Sequence, residues 1–180
     1  MERKNIAACV LVSLFAALIA AGAFVRIPFV PVPITLQTLF VLVSALCLPV
    51  HLAALSVAVY LVLGAAGLPI FTSGGGFAAL LGPTGGYLIG LIPAVIAGGI
   101  MVRALSARPR LSAVLGAIAA EILIYLVGIP WLAASMGISV PAALVSGLVP
   151  FIPGDALKLA VAVSVSLLIR PRVMEMLERE

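Results

Sequence analysis

The segment Pro150-Phe-Ile-Pro153-Gly154-Asp155-Ala-Leu-Lys158 holds the pair of residues best suited to gripping a polar ligand. Pro153 fits a first helical position, where its missing N–H would have no partner in any case. Asp155 then falls in the first turn, near the positive end of the helix dipole. Lys158 follows three residues on, on the same face and about one turn deeper. Two readings compete. One is a structural ion pair that locks the start of a helix. The other is a ligand site in which the ammonium meets an anion and the carboxylate accepts from N–H groups. The second is favoured, because the irregular segments of the chain gather at the same end.

Glu121 is the next candidate. It stands alone in a long apolar run, with Tyr125 one turn further on the same helix face. An isolated carboxyl inside a membrane helix either carries a proton and bonds a neighbour, or serves a ligand or a proton. Thr35, Gln37 and Thr38 open another apolar run. Helix capping accounts for the threonines, whereas Gln37 needs a partner that so apolar an interior does not readily supply. Tyr87 and Trp131 suit an interfacial aromatic belt, and either ring could also stack on a ligand. His51 has no Cys or carboxylate at metal-ligand spacing, so no metal site is expected. The segment Gly82-Pro83-Thr84-Gly85-Gly86 lacks the Gly-Lys-Ser/Thr ending of a phosphate loop, so no nucleotide site is expected either. Ala16, Ala17, Ala20 and Ala21 form two overlapping small-xxx-small pairs, which fit internal packing or a docking face for another membrane subunit.

The elements that position these residues follow from composition. The 180 residues are 64% hydrophobic and only 9% charged, against about 45–50% and about 25% in soluble domains. That excludes a water-soluble enzyme, a disordered chain and a nucleic-acid binder. A membrane span takes roughly 20 apolar residues, and six fit: about 6–25, 34–48, 52–66, 87–102, 111–132 and 153–169, in a single domain. The first run is too long for a signal-peptide core of about 7–15 residues and reads as a retained span. Cys9 and Cys47 lie inside apolar runs and read as small hydrophobes, not a disulfide. The expected fold class is therefore an all-α membrane protein.

Charge sets the orientation. With six spans, Arg3, Lys4, Arg103, Arg108, Arg110, Arg170, Arg172 and Arg179 all fall on one side. The positive-inside rule puts that side, with both termini, in the cytoplasm. The outer connections are a triple-proline segment at 26–33, a glycine-rich stretch at 67–86 and the segment 135–149. Apart from Arg26 they are uncharged. Irregular backbone beside a bilayer must be satisfied by protein or line a cavity, so these segments are expected to fold down over an outward-opening pocket.

Four segments, taken together and in order, closely resemble the BioY family, the biotin-specific S components of energy-coupling factor (ECF) transporters. They are Ile27-Pro-Phe-Val-Pro-Val-Pro-Ile-Thr-Leu-Gln-Thr38, Leu81-Gly-Pro-Thr-Gly-Gly-Tyr87, Tyr125-Leu-Val-Gly-Ile-Pro-Trp131-Leu and Gly147-Leu-Val-Pro-Phe-Ile-Pro-Gly-Asp-Ala-Leu-Lys158. The resemblance implies a six-helix S component that captures biotin at the outer face, with no cofactor and no enzymatic step. It implies ligand contacts at Asp155 and Lys158, beside the candidates Gln37, Thr35, Tyr87 and Glu121. It also implies partners: a transmembrane coupling subunit, met by an Ala-xxx-Ala face on the first helix, and two ATPase subunits. A solo biotin transporter without dedicated ATPases is the alternative that the resemblance leaves open.

Overall fold

The computed structural model describes residues 2–178. Arg179, counted above among the inner basic residues, lies outside them. The order is α1 (Glu2–Phe24), β1 (Arg26–Ile27), β2 (Ile34–Thr35), α2 (Gln37–Cys47), α3 (Val50–Ala65), α4 (Phe77–Leu81), α5 (Gly85–Ala104), α6 (Pro109–Met136), α7 (Val140–Gly147), a single 3-10 turn (Val149–Phe151) and α8 (Ile152–Glu178). Four stretches are long and apolar enough to cross a membrane: Lys4–Phe24, Gly85–Ala104, Pro109–Met136 and Val140–Glu178, the last comprising α7 and α8. The apolar helices α2 and α3 are shorter, with 11 and 16 residues. At 1.5 Å per residue, α2 covers only about half of a hydrocarbon core roughly 30 Å thick.

α2 compensates for its length by position. It packs against α1, α3, α5, α6 and α8, and Val41, Leu42, Ala45, Leu46 and Cys47 on it are fully buried. Its last turn is closed by a distant residue: the Arg170 guanidinium donates to the Leu46 carbonyl at 2.9 Å. Such a cation is well placed at the negative end of a helix. The most extensive helix pair is α5 with α6. A Cβ on Gly98 would stand 3.0 Å from the Gly116 carbonyl, and one on Gly116 2.9 Å from that of Gly98. Two hydrogens in place of two side chains let these backbones touch, as small residues do between membrane helices. Around this core, Val10, Val62, Ile100, Ile122, Leu157 and Leu168 are exposed. An apolar exterior of this kind suits lipid, not water.

Two expectations change. Ile34 and Thr35 do not begin the second span. They pair antiparallel with Ile27 and Arg26, forming a small hairpin across the prolines, and the helix starts at Gln37. The prolines break a helix, as expected, but they leave the flanking residues free to pair. The last helix also continues past the expected span end at 169. α8 runs through Pro171 to Glu178 because Val173 and Leu177 are buried against the core, which outweighs the one backbone bond that a proline removes. Within the glycine-rich stretch, residues 77–81 form the short α4, and residues 140–147 of the third outer segment form α7.

Candidate functional site

Asp155 lies in the first turn of α8, as the Pro153 signal implied. Its carboxylate accepts from the Lys158 ammonium at 2.9 Å. Lys158 also donates to Thr38 Oγ1 of α2 at 3.0 Å. The second carboxylate oxygen of Asp155 accepts from the Tyr125 hydroxyl of α6. Three helices thus converge on one polar cluster whose two charged side chains are 8% and 9% exposed. Charge-assisted hydrogen bonds of this kind are the stronger ones. A buried pair with satisfied partners holds its geometry, while loss of one member leaves an uncompensated charge.

The cluster forms one wall of a cavity of about 60 Å³. Val32 and Pro33 of the hairpin loop, Thr35, Gln37 and Thr38 line it on one side. Thr72 and Thr84 come from the glycine-rich segment and its end, and Tyr87, Leu88, Leu91, Ile124 and Phe151 complete it. The Thr35 hydroxyl accepts from the Gln37 N–H at 3.3 Å, but the N-cap position of α2 is Leu36, which has no side-chain cap. Gln37 is buried.

The outer segments are tied over this cavity. Arg26 of β1 donates to the Thr72 carbonyl of the glycine-rich segment. Tyr87 donates to the Gly147 carbonyl at 2.9 Å, and Trp131 donates to the Gly82 carbonyl at 3.0 Å. The Tyr87 ring lies edge-on to Tyr125, 6.1 Å away at 89°, and occupies the space that a Cβ on Gly128 would need. Tyr87 therefore fastens α5 to α7 and also faces the cavity. Trp131 is a fastener of the same kind and not only a residue of an aromatic belt.

Five of the six ligand candidates, Asp155, Lys158, Gln37, Thr35 and Tyr87, line this one cavity. Glu121 does not. It lies on the far side of the Asp155–Tyr125 wall, and Tyr125, on the same helix face, donates its hydroxyl to Asp155 and not to Glu121. Thr72, Thr84 and Phe151 are cavity residues that the sequence did not single out. Thr72 and Thr84 sit inside the glycine-rich stretch that was expected to fold down, and that was the only signal for them. On α1, Ala16 is buried and Ala20 half-buried, whereas Ala17 and Ala21 are exposed. Among the described residues, no cluster of His, Cys, Asp and Glu could hold a metal ion.

The fold and site define a multi-pass membrane protein with a buried ion pair at the foot of a cavity closed by its loops. Residues 1–175 match the profile of the BioY family, and the chain belongs to that family. It is 39% identical over 170 residues to the probable biotin transporter BioY of Pyrococcus horikoshii, covering 92% of this chain and 96% of that protein. It is 37% identical over 163 residues to the biotin transporter BioY of Thermotoga maritima, covering 90% and 95%. Among solved structures, the biotin S component of an ECF-type ABC transporter superposes with a TM-score of 0.84 at 29% identity, covering 92% of each chain.

Proposed function

We propose that this chain captures biotin at the loop end of its helices and carries it across the cytoplasmic membrane as the substrate-binding subunit of an ECF-type transporter. The observation that carries this reading is the convergence of Asp155, Lys158, Tyr125 and Thr38 on a cavity otherwise walled largely by apolar and aromatic side chains. Biotin has an apolar fused ring, a ureido group with two N–H donors, and an anionic tail. Lys158 supplies the cation for the carboxylate, and Asp155, 2.9 Å away at the same end of the ligand, holds that ammonium in place. Leu88, Leu91 and Phe151 give the rings an apolar bed. Ligand pockets usually measure roughly 300–1,000 Å³, far above the 60 Å³ seen here. The hairpin and the glycine-rich segment therefore part to admit the ligand, and the Arg26–Thr72 link is the contact that breaks.

In this reading the four long spans, α3, and α2 with its hairpin make six crossings of one domain. The cavity lies at the start of α5 and α8, so Arg103 and Arg170 stand at the opposite end of those helices. The positive-inside rule makes that end cytoplasmic, together with both termini. The chain carries no energy source of its own. A transmembrane coupling subunit with two ATPase subunits provides it, docked on the exposed small-residue face of α1 at Ala17 and Ala21. Ala16 and Ala20 pack inward.

Uptake of labelled biotin in a biotin-requiring host tests the assignment. Uptake is expected only when the coupling subunit and ATPases are co-expressed, and equal uptake without them would convert the protein into a solo transporter. Ala17→Leu is expected to abolish copurification with the coupling subunit while biotin binding stays unchanged. An Ala17→Leu protein that still copurifies would remove the docking assignment.

A further inference from the structure

A second recess, of about 600 Å³, lies behind the cavity wall between α6, α7 and α8. Its lining is apolar except for Glu121, Tyr125 and Asp155, and Ile122, Leu126, Leu144 and Ile152 on it are exposed toward the lipid side. Both carboxyl oxygens of Glu121 are buried, and no donor among the described residues reaches either of them. An ionised carboxylate in that position would have lost its water without receiving hydrogen bonds in return, which is among the costliest arrangements a protein can hold. Asp155, by contrast, accepts from two donors.

Glu121 and Asp155 line the same recess. Two carboxylates cannot share a hydrogen bond, because both only accept. A bond between them forms when one carries a proton. Asp155 is served as an anion by an ammonium and a phenol, and Glu121 is served by nothing, so the shared proton belongs on Glu121.

We propose that Glu121 is a proton-binding site that donates to Asp155 from behind the ligand cavity, and that losing this proton weakens the hold on an anionic ligand. The inference rests on the reading of the ligand as the biotin anion. With the proton in place, Asp155 and Lys158 cancel and the cluster is neutral. When a base in solution removes it, the cluster becomes −1 and repels the incoming carboxylate. The other charged and titratable groups that act on Glu121 are few. Asp155 and Lys158 come from α8. Tyr125 lies on its own helix, with Tyr87 of α5 acting on Tyr125. α7 contributes Val140, Leu144 and Leu148, and the cavity residues of α2 are Gln37 and Thr38, neither of which titrates. Glu121 is thus a positioning residue that acts through Asp155.

Two readouts test this on the purified full-length chain. In infrared difference spectra at neutral pH, wild type minus Glu121→Gln is expected to show the carbonyl band of a protonated carboxylic acid. Calorimetric titration with biotin from mildly acidic to mildly alkaline buffer is expected to show wild-type affinity falling about tenfold, as one added like charge would cause. Glu121→Gln is expected to stay at the tight end throughout. Should that variant not fold, Glu121→Leu, which also removes the charge, serves as the second arm with the same flat profile. Absence of the carbonyl band, or parallel pH profiles for wild type and both variants, overturns the proposal. A wild-type protein that binds no biotin at any pH sinks the ligand reading instead, and the infrared band then still decides whether Glu121 holds a proton.

Discussion

Asp155 and Tyr125 stand in a wall with a hollow on each side. On one side is a cavity of about 60 Å³ where Lys158, Thr38, Thr35 and Gln37 converge. On the other is a recess of about 600 Å³, apolar but for the wall itself and Glu121, with a lipid-facing rim. The larger space offers a ligand almost nothing to bond with. The smaller one offers an anion, a cation and hydroxyls from three helices, already held in place by one another. The proposed site therefore rests on the convergence of satisfied polar groups and not on volume. The volume the cavity lacks can come from loops that move, whereas a missing hydrogen-bond partner cannot be supplied by motion.

Substitutions on the two sides of the wall should therefore behave differently. Lys158→Ala is expected to have the largest effect, a loss of biotin affinity of about 100-fold, since a charge-assisted contact is worth roughly 1.5–3 kcal/mol and Asp155 is left unpaired. It also costs stability, so binding is read beside a thermal melt. Asp155→Asn keeps the shape and one acceptor, and a loss of about tenfold to 100-fold is expected by calorimetry. Tyr125→Phe removes a single hydroxyl from the carboxylate, for an expected loss of a few-fold to about tenfold. Leu144→Ala, on the recess side, is expected to leave biotin affinity unchanged. A loss there as large as at Asp155 would mean that the recess, and not the cavity, receives the ligand.

Much of this site was legible because it is local. Asp155 and Lys158 are three residues apart behind a proline, and helix geometry alone puts them on one face. Their outer partners are not local. Tyr125 is 30 residues away and Thr38 is 120, so only the packed bundle brings them together. The place of Glu121 outside the cavity was hidden for the same reason. Its neighbour along the helix, Tyr125, was visible, but not that Tyr125 would be claimed by Asp155. The choice between Ala16/Ala20 and Ala17/Ala21 was unreadable because α1 is apolar all round, and a helix with no polar face gives no mark of which side turns inward. In the structure Phe15, Ile19 and Ala23 are buried alongside Ala16, which leaves Ala17 and Ala21 on the exposed side. The helix ends lie within a few residues of the expected span limits where glycine or proline marks them. They differ at Ile34–Thr35, where a hairpin competes with a helix, and at Pro171, where burial of Val173 and Leu177 carries the helix onward.

In the proposed reading, this chain alone forms the specific biotin site. The most direct test is calorimetry of the purified wild-type protein in detergent, without partner subunits, titrated with biotin and then with desthiobiotin and thiamine. Tight one-to-one binding of biotin, with thiamine inert, is the predicted result. A folded protein that binds none of the three, or binds thiamine as well as biotin, would contradict it.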